Sequence, residues 1–416
     1  MLDEDETSQD DLHGGRSPWG NLFKHSGGRD QAGGTRGDRR CDVAIVGAGI
    51  TGSLIAAYLT GRGHSVIVID RENPGLGSTA ASTAMLQWEI DTPLLELASY
   101  YGMEKAIRCY RSSFQAVQGL ASKAESLGID CDLTRRHTLY LTAGEVGAGR
   151  LKAEHQARKA AGLPGVFLEH RELLQRYGID REAAILSPGS ADADPVKLAH
   201  GMLKHALERG TAFVSGEADE YDCAGRSAAV LLKDGTTIEA RHVVLATGYV
   251  MPDFVRSELH STASSWALAT VPQSPEKLWR DRSLIWEASD AYSYMRTTAD
   301  GRVVIGGEDD GSVTEPDERD AQIPAKTEKL LGTLQRLLPQ LRPEADFAWA
   351  GVFGETTDGL PLIGPVDGQK GMLAAYGYGG NGITFSFLAA QMLTEMVEGR
   401  YVQAFDDFAI GRPDPT

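Results

Sequence analysis

The sequence predicts an α/β fold built from a strand–helix–strand nucleotide-binding scaffold with a strand-rich second lobe interleaved into it. Three observations carry this. Residues 42–70 read as an apolar strand, a glycine turn, a helix and a second apolar strand closed by an acid. Helical and strand-like segments then mix along the rest of the chain with no repeat at solenoid periods. The length of 416 residues allows two or three domains at roughly 150 residues each, enough for a large core.

Residues 1–40 are expected to be a disordered tail. An acidic block, Asp3 to Asp11, precedes a Gly/Arg-rich stretch with too few apolar residues to offset the entropy of ordering. Trp19, Leu22 and Phe23 are the residues by which such a tail would dock on the body or on a partner. Asp42-Val43-Ala44-Ile45-Val46 is a short buried-type strand, followed by Gly47-Ala48-Gly49-Ile50-Thr51-Gly52. A helix over 50–60 stops at Gly61-Arg62-Gly63, and residues 65–69 form a second strand ending in Asp70.

Helices are predicted over 103–126, 150–161 and 195–209. In the last, Asp194 caps, Pro195 fits the first helical position and Gly210 the left-handed exit. Lys233-Asp234-Gly235-Thr236 reads as a hairpin turn between residues 229–232 and 237–240. A further strand, 242–246, closes on Thr247-Gly248. Residues 292–296 and 303–305 read as a second hairpin around Asp300-Gly301. A helix over 327–338 precedes Pro339, and the cluster Gly377 to Gly382 leads into a last helix over 383–398.

Composition excludes several function classes. Lys+Arg 41 against Asp+Glu 58 leaves a net charge of −17, the wrong sign for a nucleic-acid partner or an anionic membrane surface. No apolar run reaches the length of a membrane span, and the acidic N-terminus is unlike a signal peptide. Cys41, Cys109, Cys131 and Cys223 lack ligand or disulfide-framework spacing, so no metal site is expected and a cytoplasmic location is the default. Ten histidines show no paired spacing, and His242 beside a strand is read as structural.

Gly47, Gly49 and Gly52 stand at G-x-G-x-x-G spacing between strand and helix. The first permits the turn, the second the approach of a pyrophosphate, the third close helix–strand packing. The helix start offers unpaired N–H groups to phosphate, and Asp70, 18 positions after Gly52, is placed to accept ribose hydroxyls. This unit alone does not separate NAD from FAD. After Asp70 and Arg71 the chain continues as a small-residue loop, GSTAAST over 77–83, read either as following a pyrophosphate toward an isoalloxazine ring or as a turn-rich linker.

Over residues 41–400 the sequence resembles the FAD-dependent amine and amino-acid oxidoreductases that include D-amino-acid oxidase, glycine oxidase and sarcosine oxidase. The resemblance rests on DVAIVGAGITGSLIAAYLTGRGHSVIVIDR, GSTAAST, HVVLATG and ETTDGLPLIGP…GMLAAYGYGGNGITFS. It implies a Rossmann-type FAD-binding domain discontinuous over 41–90, 190–250 and 345–400, with a D-amino-acid oxidase-like substrate domain over 91–189 and 251–344. It implies that Gly47, Gly49, Ile50, Thr51, Gly52, Asp70 and Arg71 hold the adenosine diphosphate. Ser78 and Thr79 would lie along the pyrophosphate, Thr247 and Gly248 would close over the cofactor, and Gly379, Gly380, Asn381, Gly382, Ile383 and Thr384 would lie beside the flavin pyrimidine. A helix beginning there would direct N–H groups at the negative charge that reduction leaves on the ring.

The implied reaction removes a hydride from the carbon of a C–N bond in a small amine or amino acid, giving an imine. The electron acceptor, oxygen or another, is open. Alternatives are a flavoprotein oxidising a 2-hydroxy acid or alcohol, and a non-catalytic flavin-binding scaffold. Several family features are missing. Phe353 stands where glycine oxidase-like members carry an arginine for the substrate carboxylate, Gly351 where a cysteinyl-flavin link would need cysteine, and Val304 where an oxygen-activating lysine would stand. GSTAAST also lacks a histidine for the histidyl link, so FAD is expected to be noncovalent. Tyr292, Tyr294 and Arg296 alternate along one strand and would face one side, which makes Arg296 the candidate replacement for the missing arginine. The resemblance implies that Tyr292 matches a strand tyrosine contacting substrate in glycine oxidase-like members. Tyr292 and Arg296 are thus the candidate catalytic residues, a sheet-surface stripe of aromatics with a solvated arginine being the other reading. Met85, Gln87 and Trp88 are candidates for the pocket wall, with core packing expected of Met85 and Trp88. Asp358 is expected, from its neighbours Gly359 and Pro361, to be a turn-forming carboxylate beside the cofactor, an acid–base role being the other reading.

Overall fold

A computed structural model describes residues 12–19, 39–223, 227–255, 257–289 and 292–415. The scaffold is a sheet whose strands run, edge to edge, Leu362–Pro365, Met372–Tyr376, Thr237–Leu245, Arg39–Val46, Val66–Asp70 and Ala212–Ser215. The last five are mutually parallel, and 362–365 is antiparallel to 372–376. Parallel strands need crossovers on the faces, which is why their residues are apolar on both sides. The predicted turn at 233–236 joins Ala228–Leu232 to 237–245, with Gly235 at φ +86°.

Helix Ile50–Gly61 follows the first glycine turn and is buried almost all round, because it lies between the sheet and the helices Pro195–Leu207 and Gly382–Val397. Asp194 caps 195–207 by accepting from Val196 and Lys197 N–H, and Pro195 occupies the first turn. Met103–Ser126 packs on 382–397, so this part of the expected substrate segment 91–189 shares the core of the nucleotide-type scaffold.

The second sheet is larger: His13–Arg16, Ala345–Thr356, His260–Thr270, Val303–Asp310, Tyr294–Thr297, Leu284–Ala288, Thr134–Thr142, Ala183–Asp192 and Met85–Leu86, with Val166–Glu169 beside 183–192. Strand 345–356, expected in the FAD-binding part, pairs along its whole length with 260–270 and belongs here. Its alternating apolar residues complete the core that helix Ile323–Leu337 covers.

The expectation of a disordered tail fails for residues 12–19. His13–Arg16 adds an antiparallel edge strand to 345–356, and Trp19 is 5% exposed. Local composition missed this because the apolar surface that orders the segment comes from residues far away in the chain, Ala80, Val196, Ala267 and Trp349 among them. Leu22, Phe23 and the rest of residues 1–40 before Arg39 other than 12–19 lie outside the described residues.

Candidate active site

The glycine turn sits at the carboxyl ends of 39–46 and 66–70, where open parallel sheets bind ligands. Gly47 has φ +109°, and a Cβ there would overlap the carbonyl of Ala246. A Cβ on Gly52 would overlap Gly47 O, so helix and turn meet as closely as the spacing predicts. Asp70 ends its strand with Oδ2 accepting from Ala48 N–H at 2.5 Å and Oδ1 from Glu72 N–H at 2.8 Å. Burial raises its pKa. Each oxygen keeps a lone pair for a hydroxyl. Arg71 instead turns toward Glu217, 3.7 Å away.

The loop after Asp70 folds back on this turn. Thr79 Oγ1 accepts from Ile50 N–H at 3.0 Å, retaining its own proton to donate. Ser78 Oγ is buried with no partner among the described residues, and a Cβ on Gly248 would stand 3.4 Å from it. Thr247 Oγ1 is turned to Met251 Sδ at 3.3 Å. An unsatisfied hydroxyl beside a glycine-walled gap fits an absent polar ligand.

At the other end, helix 382–397 begins at Gly382, whose first-turn N–H groups have no acceptor within the helix. Several side chains assigned to the flavin have structural partners. Asn381 Nδ2 donates to the carbonyls of Gln87 and Glu89 at 3.2 and 2.9 Å, and Thr384 Oγ1 donates to Gln87 O at 2.9 Å. Thr51 Oγ1 pairs with Ser386 Oγ at 2.7 Å, joining the two helix starts. Gly380 N–H is held by Asp91. These residues shape the cradle, leaving backbone at Gly379 and Gly382 on the cavity.

The cavity between the sheets has aromatic walls from Tyr249, Trp266, Tyr292, Tyr294, Trp349 and Phe353. Ser78, Ser82 and Thr83 reach it from the loop, and Gly379, Gly380 and Gly382 from the helix start, so cradle and cavity are continuous. Tyr294 lies opposite Gly306, where a Cβ would strike its ring. Among the described lining residues the only charged ones are Asp91 and Asp309. Asp91 Oδ2 accepts from Gly380 N–H at 2.7 Å and the carboxylate also meets the Tyr292 hydroxyl. Asp309 bonds Ser265, and its Oδ1 is buried without a partner among the described residues. Burial pushes both carboxyls up to about 6.

The expected substrate arginine is absent from this wall. The strand expected over 292–296 begins at Tyr294, so Arg296 shares a strand face with Tyr294 alone, Tyr292 preceding it, and lies deeper, 2% exposed. Its Nε donates to Thr83 O at 2.6 Å, one terminal nitrogen to Ala193 O at 2.8 Å, and the other stands 3.7 Å from Asp192. A guanidinium so committed holds backbone. Gln87 and Met85 line the cavity, the latter against the expectation of core packing, while Trp88 packs in the core on Tyr110 and Phe114. Sequence reasoning missed Asp91 and Asp309. The one available signal was the i, i+2 spacing of Gln87, Glu89 and Asp91, which Glu89 breaks by turning to Thr138. Asp358 makes its turn as expected, accepting from Leu360 N–H at 3.0 Å, but it does not line the cavity and its carboxylate is paired with Arg412.

No helix among the described residues is long and apolar enough to cross a membrane. Residues 42–396 match the family described as FAD dependent oxidoreductase. The chain is 25% identical over 386 residues to gamma-glutamylputrescine oxidoreductase of Escherichia coli (strain K12), covering 89% of this chain and 86% of that protein. It is 25% identical over 383 residues to glycine oxidase of Geobacillus kaustophilus (strain HTA426), covering 88% and 95%. The crystal structure of glycine oxidase from Geobacillus kaustophilus matches with a TM-score of 0.75 at 22% identity, over 90% of this chain and 99% of that one. With the glycine turn, the acid-ended strand and the open helix start already in place, the match over most of the chain settles its kinship: it belongs to the FAD-dependent oxidoreductases.

Proposed function

We propose that this protein oxidises the C–N bond of a small amine that enters as an ammonium and carries no carboxylate beside the reacting carbon. The observation that carries the reading is the charge of the cavity: two carboxylates, aromatic faces, and no lysine or arginine among its described lining residues. A carboxylate substrate would meet repulsion from Asp91 and Asp309 and find no guanidinium fork. The same argument disfavours a 2-hydroxy acid. A relative named for a glutamylated diamine supports the class, and one named for glycine is the contrast.

Gly47, Gly49, Ile50, Gly52 and Asp70 would hold the adenosine diphosphate, Ser78 and Thr79 the pyrophosphate side, and the backbone at Gly382 and Ile383 the ring. FAD, when bound, accepts the hydride. Asp91 and Asp309 draw the ammonium in, and the tyrosine and tryptophan faces supply cation–π attraction. With values near 6, either acid is suited to take the ammonium proton, so that nitrogen's lone pair can assist loss of the C–H hydride. The aromatic wall excludes water from that step. Gly351 on the wall, and the absence of all four cysteines from it, support noncovalent FAD. The four unpaired thiols support a cytoplasmic location.

Anaerobic titration of the yellow protein with amines and their matching amino acids tests this. The amine is expected to bleach the flavin at lower concentration. Faster bleaching by the amino acid than by its decarboxylated counterpart would refute it.

A further inference from the structure

We propose that the segment 12–19 is a clasp for the cofactor loop: by holding the carbonyls of Leu76 and Ser82, it fixes the hydroxyl and N–H side of that loop in the geometry FAD requires. The segment lies outside residues 42–396, the part matched by the family.

The contacts are directional. His13 Nε2 donates to Leu76 O at 2.7 Å, and Trp19 Nε1 donates to Ser82 O at 2.7 Å. Between them Trp349 Nε1 donates to Ala81 O at 2.8 Å, and Arg296 donates to Thr83 O. Four carbonyls of one short loop are thus taken by side chains from the segment or from strands beside it. On the opposite side of the loop, Thr79 reaches Ile50 N–H and Ser78 faces the cavity. Trp19 also lies over the Arg296 guanidinium, 5.0 Å from ring centroid to Cζ, so the segment orders both a carbonyl and the group holding its neighbour.

Glycines make the approach possible. A Cβ on Gly14 would overlap the Asp320 carboxylate, and one on Gly15, at φ +75°, would reach within 2.5 Å of Ala348 O. The pairing of Gly14 with Ala350 and Gly15 with Trp349 then sets His13 and Trp19 at the two ends of the loop. Without the clasp the loop must be ordered by FAD itself, and that entropy is charged to binding.

The test is an FAD titration of the apoprotein, followed by flavin fluorescence, in the full chain and in variants. Trp19→Ala and His13→Ala together are expected to weaken FAD about ten- to hundredfold, as loss of two hydrogen bonds and one buried indole implies. Trp19→Phe, which keeps a ring and loses the N–H, is expected to fall between. Amide exchange over 78–83 in the apoprotein should rise in the same order. Arg176→Ala is the control, because Arg176 is paired with Glu172 on helix His170–Tyr177, which packs on strands 166–169 and 183–192; it should leave FAD affinity unchanged. Affinity within twofold of the parent in the double variant, or an equal loss in Arg176→Ala, would overturn the proposal.

Discussion

Asp91 and Gly380, 289 positions apart, are joined by a 2.7 Å hydrogen bond from the glycine N–H to Oδ2. The bond ties the substrate wall to the chain entering helix 382–397, so one carboxylate serves both the cavity and the cradle. Asp91→Asn keeps an acceptor for Gly380 and removes the charge. It is expected to raise KM for an amine about ten- to hundredfold, the value of one charge-assisted hydrogen bond, with FAD affinity nearly unchanged. Asp91→Ala removes both and should weaken FAD as well. Steady-state kinetics and an FAD titration of the two variants separate these effects.

On the proposed function, Asp91 and Asp309 are expected to give the protein opposing pH dependences for stability and binding. Both are pushed up to about 6 in the folded chain against an ordinary 3.8, by burial first, with Glu355 adding to the effect at both and Asp91 at Asp309; the Ser265 hydrogen bond and Lys326 oppose it at Asp309, and hydrogen bonds from Gly380 and Tyr292 at Asp91. Between those values the folded state binds more protons than the unfolded, so stability falls as pH rises from about 4 to 6. Capture of an ammonium by the ionised acids rises over the upper part of that range. Asp309→Asn should therefore melt higher than the parent at pH 7, lose that advantage below pH 4, and show a flatter rise of kcat/KM through pH 6. Thermal melts and pH-rate profiles on one preparation check all three.

How far this could be read from sequence follows the range of the interactions. The strand–turn–helix–strand over 39–70 and the cap at Asp194 are local, and both stand where spacing places them. The larger sheet is assembled from strands hundreds of residues apart, which is why strand 13–16 was hidden in a polar tail. At Arg296 the alternation put the residue on the correct face, but depth decides its partners, and depth depends on where Thr83 and Ala193 arrive. Asp309 lies on the interior strand 303–310 and Asp91 on the chain that follows strand 85–86, and they become a pair only across the cavity.

Gly52→Ala should give a protein that purifies without yellow colour. The added methyl meets the carbonyl of Gly47, itself held at positive φ, and relief requires moving the turn that faces the pyrophosphate. Destabilisation of about 1–3 kcal/mol is expected from such overpacking. A Gly52→Ala protein with a full flavin content would refute the assignment of this turn to the cofactor.

The pair Asp358–Arg412 holds the C-terminal segment to the turn after 345–356. Both side chains are fully enclosed, with Nε and a terminal nitrogen each 2.7 Å from the carboxylate. Burial would raise the Asp358 pKa, but the Arg412 hydrogen bonds and charge outweigh it and hold the value below the ordinary 3.8. Its contribution is therefore present above that value and lost as pH falls through the lower folded value. Arg412→Ala should cost about 3–5 kcal/mol by stranding a buried carboxylate, and should remove that acid-side loss. Denaturant unfolding at pH 7 and at pH 3 measures both.

Arg296→Met distinguishes the two roles open to this arginine. If it bound a substrate carboxylate, its loss would raise KM for an amino acid by a hundredfold or more while leaving the flavin in place. Its observed partners predict the reverse. Thr83 O and Ala193 O lose their donors and the face of Trp19 loses its cation, so FAD should bind more weakly. Asp192 keeps Arg136, whose Nε donates to it at 2.7 Å, so the carboxylate is not stranded and the loss of stability should stay near about 1–3 kcal/mol. KM for an amine, measured with FAD in excess, should remain within about twofold of the parent because no atom of Arg296 reaches the cavity. A large KM change at saturating FAD would return Arg296 to the substrate and remove the case for an amine lacking a carboxylate.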